Sequence, residues 1–296
     1  MNKSYVTLLN SENYLKGVLC LNESLKRVNS QYPLTVAITQ EISEKSRQIL
    51  NNNNIKTIVI KKMNVPESIK DKNSKGMFSH WSNTFDKLQI FEMTQFEKIV
   101  FLDSDMYVRK NIDNLFECKN LSAVIDRREP NVISEWKKLT SGTLVIEPKE
   151  GIVEEFTEIM NEISEKRESI GDQDVLQEYD KNWEEKEELH LDVSYNTFFI
   201  YLDYYIKVNG YQLDDISVIH FILKTKPWNL TKGDIDKYLE FLESRLKYNY
   251  EKTNKDVYKK CLEVGSENKK RILCEYLELV NDITKKNYTK EDLCRN

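Results

Sequence analysis

Three short apolar runs separated by two amphipathic stretches restrict the first sixty residues of this chain to very few folds. YVTLL at 5–9, LTVAIT at 34–39 and IKTIVI at 55–60 have the length and β-branched content of buried strands. Between the first two, Tyr14, Val18, Leu21 and Leu25 recur at spacings of three or four, which is one face of a helix. Asn10 and Ser11 supply polar residues for its N-cap. Pro33 breaks the chain before the second run. Ser43 is placed to cap a second helix carrying Ile49 and Leu50, which the asparagines at 51–54 bring to an end. A strand–helix–strand repeat of this kind implies parallel pairing through right-handed crossovers, hence a doubly wound α/β sheet. Ligands of such sheets bind beyond the carboxyl ends of the strands.

The rest of the chain extends this pattern and then changes character. Residues 64–80 read as irregular and mobile, and a helix is expected at 81–93, delivering the chain into a strand at KIVFLD. Further strands are expected at 121–126, 142–148 and 217–222, with a helix at 150–165. Beyond Trp228, apolar residues at helical spacing sit within dense mixed charge. The expectation is two parts: residues 1–228, bearing the chemistry, and a helical C-terminal extension at 229–296. That extension suits packing on the first part, formation of a homodimer or, least well, contact with a membrane surface, because it is not a basic apolar helix.

Composition narrows the function classes. With 40% hydrophobic and 31% charged residues among 296, the chain can bury a sizeable core under a charged surface. The formal net charge is −5 and no basic block alternates with aromatics, which argues against nucleic acid as a partner. The five cysteines are scattered with no CxxC pair, signalling neither a zinc site nor a disulfide framework. The start lacks an apolar signal-peptide core, and no window approaches the roughly 20 apolar residues of a membrane span, so the cytoplasm is the expected compartment.

The chemistry begins at KIVFLDSDMYV, where a buried-looking strand runs straight into Asp103 and Asp105. Charges at such a place must be solvated, paired or bound to a cation. Two carboxylates at a turning strand end can address one hard divalent ion such as Mn²⁺ or Mg²⁺; equally, a lone DxD is often a solvated turn. His220 ends another apolar run and offers an imidazole as third ligand. Lys226, six residues on and fixed before Pro227 and Trp228, is placed to grip a phosphate. A divalent ion and a lysine facing a diphosphate would neutralise charge on a departing phosphate.

Taken together, VTLLNSENYLKG, FLDSDMYV, SGTLVIEP, GDQDVL and HFILKTKPW resemble glycosyltransferase family 8, the glycogenin-like group that includes galactinol synthases and bacterial sugar transferases. The resemblance runs from near residue 6 to Trp228. It implies an α/β, Rossmann-like nucleotide-sugar-binding sheet of the glycosyltransferase A type, here with the helical C-terminal appendage. It also implies a retaining, Mn²⁺-dependent hexosyl transfer from a UDP-sugar. By resemblance, Asp103, Asp105 and His220 are metal ligands, with Ser104 carried into the same donor site, and Lys226 contacts the phosphates. The family's HxxGxxKPW motif has Leu223 in place of its glycine. Thr7, Leu8 and Tyr14 match positions around the uridine, Tyr14 as a stacking partner for uracil, and Lys87 matches a basic residue near the donor sugar or phosphate. Ser141 and Gly142 match an NSG element that approaches the sugar, with Thr140 standing where the asparagine would be. Asp172 would bind sugar hydroxyls, with Gln173 and Asp174 near the reacting carbon; Asp172 equally suits the first turn of a helix running through Leu176. Tyr195 and Asn196 match a weaker element towards the acceptor.

Other classes fit less well. A dehalogenase-like phosphatase would want Thr or Val where Tyr107 stands, and a nucleotidyltransferase would want a glycine-rich basic loop in place of VTLLNSEN. A catalytically silent binding or scaffold module of the same fold, and a self-glucosylating glycogenin-like primer, are the remaining alternatives. The sequence offers no unmistakable nucleophile, which favours front-face attack over double displacement. The acceptor is a glycan, a lipid-linked molecule or a protein; none of the 16 tyrosines stands in a context that marks it as one.

Overall fold

The computed structural model describes residues 2–74, 84–125, 138–167 and 169–288. Its first half follows the alternation in the sequence: β1 (Lys3–Leu9), α1 (Leu15–Arg27), β2 (Leu34–Ile38), α2 (Glu44–Asn52) and β3 (Lys56–Val59). Ser43 caps α2 by accepting from the Ser46 amide at 3.2 Å, a bond worth about 1 kcal/mol. Asn29 and Asn54 take left-handed backbone just past α1 and α2, a conformation asparagine tolerates well.

Residues 64–80 do not stay irregular where described. They contain α3 (Glu67–Ser74), while 75–80 and the first residues of the expected 81–93 helix lie outside the described residues. Periodicity gave no signal for α3 because its apolar anchor is Ile69 alone. Asn73 adds hydrogen bonds to both the amide and the carbonyl of Ile170, ninety-seven residues away. The described part of 81–93 is a 3-10 run, Phe85–Glu92, rather than an α-helix. Buried Phe85, Leu88 and Phe91 recur every three residues, the period of that tighter helix.

The run leads into β4 (Lys98–Leu102), β5 (Met106–Val108), β6 (Ala123–Ile125) and β7 (Leu139–Ile146). They are followed by α4 (Ile152–Ser164), α5 (Asp172–Tyr179), β8 (His190–Leu191), β9 (Thr197–Phe198), α6 (Leu202–Lys207) and β10 (Val218–His220). The main sheet has the order β3-β2-β1-β4-β7-β6-β8. Strands β3, β2, β1 and β4 are parallel, and strand order reverses between β1 and β4, the place where such sheets bind ligands. The parallel pattern then stops: β7 is antiparallel to both β4 and β6. All eight residues of β7 are buried, so its sequence carries no alternation that could reveal its direction.

A second, three-stranded sheet (β5-β10-β9) stands at the carboxyl end of β4. Its antiparallel β5–β10 pairing sets His220 opposite Met106, and the Phe221 amide donates to the Asp105 carbonyl at 3.0 Å. KIVFLDSDMYV is therefore two strands of two sheets, and the aspartates form the turn between them.

The helical C-terminal part consists of α7 (Ile235–Thr253), α8 (Asp256–Glu263) and α9 (Glu267–Asn287). Ile272, Leu273, Tyr276, Leu277, Val280 and Ile283 of α9 share one core with Tyr5 and Leu9 of β1 and the inner face of α1. The Tyr276 ring lies 4.8 Å from that of Phe221 and 5.4 Å from that of Tyr107. Among the described residues, no helix is long and apolar enough to cross a membrane.

Candidate active site

Both sheets converge on the 103–105 turn. The Asp103 amide donates to the Gly142 carbonyl at 2.9 Å, tying the turn to β7. Gly17 of α1 lets the turn approach from the other side: a Cβ there would lie 2.5 Å from the Ser104 carbonyl oxygen and 2.7 Å from the Trp228 ring.

The two aspartates divide their oxygens in the same way. Asp103 Oδ1 meets Lys87 Nζ at 2.9 Å, and Asp105 Oδ2 meets Lys226 Nζ at 2.6 Å. The other oxygens face His220 Nε2, at 3.8 Å for Asp103 Oδ2 and 3.1 Å for Asp105 Oδ1. Asp103, Asp105 and His220 each offer one ligand atom, all within 4.8 Å of one another. Two carboxylate oxygens and an imidazole nitrogen make a donor set that could hold a divalent cation.

Lys87 is 5% exposed and acts as a brace. Its ammonium also lies 3.1 Å from Asp172 Oδ2 and donates to the Ser141 carbonyl and hydroxyl, both at 3.1 Å, so its three N–H bonds are fully engaged. Lys226 donates to Asp105 and to the Phe221 carbonyl at 2.7 Å, and also interacts with the Tyr14 hydroxyl. Three carboxylates against two lysines leave one negative charge in excess, which a divalent cation would reverse.

Electrostatics follow from this packing. Burial works against the charge of Lys87, but Asp103 and Asp172 outweigh it and hold its pKa above the ordinary value. Burial likewise opposes ionisation of Asp105, yet Lys226 and His220 hold its carboxyl below the usual range. For Asp172 the opposing partner is Lys87, aided by Ser141, and its pKa is also lowered. Asp103 goes the other way: burial, with the carboxylates of Asp105 and Asp172 nearby, outweighs Lys87 and His220 and raises its pKa.

Behind His220 the structure is fully hydrogen-bonded. His220 Nδ1 lies 2.8 Å from Asn196 Oδ1, Asn196 Nδ2 donates to Thr140 Oγ1 at 3.1 Å, and the Thr140 hydroxyl donates to the Val124 carbonyl at 2.7 Å. Gly142 leaves room for this layer: a Cβ there would lie 2.9 Å from His220 Cε1 and 3.0 Å from Asn196 Nδ2.

Lys87, Asp103, Ser104, Asp105, Ser141, Gly142, Asp172, His220 and Lys226 thus lie in one assembly. Gln173 joins it through its Oε1, which accepts from the Ser141 amide at 3.0 Å. Tyr14 sits beside Lys226, whose ammonium lies 5.5 Å from its ring centre, and packs edge-on against Trp228. Asp174 stands apart, pairing with Arg167 and accepting from the Gly171 amide at 2.9 Å. Thr7 remains inside β1, its buried hydroxyl without a hydrogen-bond partner; Leu8 and Leu223 pack against the core. Asn196 lies behind His220, and Tyr195 accepts from Asn114 at 2.8 Å. Thr140, 3% exposed, is committed to β6 and Asn196. The sequence named Thr140, Asn196 and His220 separately; their connection arises only where β6 and β7 of the main sheet meet the small sheet.

A mixed sheet with an acidic–histidine cluster at its switch point matches the glycosyltransferase A fold of the solved structures it resembles. The chain belongs to glycosyltransferase family 8, residues 5–232 matching the family described as "Glycosyl transferase family 8". It is 30% identical over 268 residues to the uncharacterized protein R707 of Acanthamoeba polyphaga mimivirus, covering 83% of this chain and 90% of that protein. It is 29% identical over 236 residues to glycogenin-1 of Mus musculus, covering 78% of this chain and 66% of glycogenin-1. In fold it resembles the galactosyltransferase LgtC, crystallised with donor and acceptor sugar analogs, with a TM-score of 0.55 at 18% identity over 77% of this chain and 89% of that one.

Proposed function

We propose that the chain is a retaining, Mn²⁺-dependent glycosyltransferase that moves a hexose from a UDP-sugar to an acceptor hydroxyl, with residues 1–228 as the catalytic domain. The observation that carries this reading is the convergence of one oxygen each from Asp103 and Asp105 on His220 Nε2. The likeness to glycogenin-1 and to LgtC supports it. The scattered cysteines, with no CxxC pair, suit a reducing compartment, and the cytoplasm is the proposed location.

Asp103, Asp105 and His220 would hold the Mn²⁺, which supplies Lewis-acid stabilisation of the donor diphosphate. The Lys226 ammonium adds positive charge beside the diphosphate, where the leaving group becomes more negative. Lys87 touches the Ser141 hydroxyl and both flanking carboxylates. Its role is to fix the positions of Asp103 and Asp172. Asp172 and Ser141 lie beside the sugar's place and are suited to its hydroxyls.

In the transfer, the bond from C1 to the diphosphate oxygen breaks and a bond from C1 to the acceptor oxygen forms on the same face. The acceptor proton passes to the departing phosphate oxygen. Front-face attack agrees with two features: Gln173 Oε1 is occupied by the Ser141 amide, and the Asp174 carboxylate is held by Arg167. Neither is poised as a free nucleophile.

The test is UDP release from a panel of UDP-glucose, UDP-galactose and UDP-N-acetylglucosamine, with Mn²⁺ and with EDTA, followed by intact mass of the protein. Mn²⁺-dependent release from one donor supports the proposal, and added hexose mass would identify the chain as its own acceptor. Tight UDP binding without turnover of any donor would instead indicate a silent module.

A further inference from the structure

The chain of hydrogen bonds behind His220 has only one consistent direction. The Val124 carbonyl can only accept, so the Thr140 hydroxyl spends its proton there. Towards Asn196, Thr140 Oγ1 can then only accept, which obliges Asn196 to present Nδ2 to it and Oδ1 to His220. An amide oxygen at 2.8 Å requires a proton on His220 Nδ1. The neutral imidazole therefore carries its lone pair on Nε2, the nitrogen facing Asp103 Oδ2 and Asp105 Oδ1.

We infer that Thr140 and Asn196 are positioning residues that set the His220 tautomer and ring orientation for cation binding, through a relay anchored on the Val124 carbonyl. Two further features serve this relay. Strand β6 changes register between Ala123 and Val124, directly beside the Val124–Thr140 pair. Gly142, two residues along β7 from Thr140, leaves the space in which Asn196 and His220 meet. An amide has no orientational preference of its own here; the Thr140 hydroxyl supplies it. Thr140 thereby contributes to the site without facing the donor sugar.

The inference rests on the metal site proposed above, and its test separates the two. Mn²⁺ alone is titrated into the full chain by electron paramagnetic resonance. In parallel, the His220 tautomer is read from imidazole ¹⁵N shifts of the metal-free chain at alkaline pH. With only three histidines in the chain, a His220→Gln sample assigns the signals. Thr140→Val is expected to weaken Mn²⁺ binding about tenfold, the lower end for loss of a ligand-orienting partner, and to populate the other tautomer. Thr140→Ser keeps the hydroxyl and should remain near wild type. Thr140→Val/Asn196→Asp should recover binding, because both oxygens of a carboxylate accept and no flip can present a donor to His220. Unchanged affinity and tautomer in Thr140→Val, or a Thr140→Ser variant as impaired as Thr140→Val, would overturn the relay. Should Thr140→Val not fold, Asn196→Asp alone decides: wild-type or tighter Mn²⁺ binding supports the relay, and loss contradicts it. A wild-type chain that binds no Mn²⁺ sinks the metal site, and the tautomer measurement still tests the relay.

Discussion

Lys226 holds Asp105 from the side away from His220: its ammonium sits 2.6 Å from Asp105 Oδ2, leaving Oδ1 turned to the imidazole. The same ammonium also lies against Tyr14. Replacing it by methionine in Lys226→Met should leave Asp105 without its counter-charge and the diphosphate without a donor. Turnover of the preferred UDP-sugar is expected to fall by about 10²- to 10³-fold, the usual cost of one donor to developing negative charge. Steady-state kinetics at saturating Mn²⁺ checks this.

Lys87 is expected to contribute to stability by bracing Asp103 and Asp172. Lys87→Met would leave Asp103 and Asp172 close together and largely buried with no cation between them. Urea unfolding of the metal-free protein should show a loss of about 3–5 kcal/mol, typical of breaking a buried pair from one side. Added Mn²⁺ should restore part of it by linkage, since Asp103 would regain a counter-charge.

Gly17 lies inside α1, where alanine would ordinarily stabilise a helix by about 1 kcal/mol. Here the added Cβ would press on the Ser104 carbonyl and the Trp228 ring at 2.5 and 2.7 Å. Gly17→Ala is therefore expected to destabilise the fold by about 1–3 kcal/mol and to weaken Mn²⁺ binding by displacing the 103–105 turn. Thermal denaturation together with Mn²⁺ titration measures both effects.

Acid should expose the opposed titrations at the site. Asp105 and Asp172 have folded pKa values below the unfolded value, so their stabilisation is present above about pH 4 and is lost as pH falls through the folded values. Asp103, raised by burial and neighbouring carboxylates, favours the folded state as it takes up a proton and so opposes that loss. Urea unfolding from pH 7 downwards should give an acid limb that Asp172→Asn makes shallower and Asp103→Asn makes steeper.

Strands β1, β2 and β3 with helices α1 and α2 were legible because apolar runs and one-sided helices leave a strong periodic trace. Asp103, Asp105 and His220 were legible because each punctuates an apolar run, and Lys226 because Pro227 and Trp228 follow it. What the sequence withheld depends on long-range pairing. Strand β5 is three residues long and becomes a strand only by meeting Val218–His220, more than a hundred residues away. The helix at Glu67–Ser74 has one buried apolar anchor, and the direction of β7 leaves no mark on a wholly buried strand. The family resemblance assigned residue types to a donor site. It could not show that Lys87 is tied to Asp103, Asp172 and Ser141 while Lys226 holds Asp105 and the Phe221 carbonyl. Nor could it reveal that Asp174 is turned to Arg167.

The central claim is that Asp103, Asp105 and His220 form one cation site, and anomalous diffraction at the manganese edge from crystals grown with Mn²⁺ and UDP tests it most directly. A single peak about 2.2 Å from Asp103 Oδ2, Asp105 Oδ1 and His220 Nε2, with Lys87 and Lys226 still on the outer oxygens, is the expected result. A peak away from these three atoms, or none with UDP bound, would contradict it.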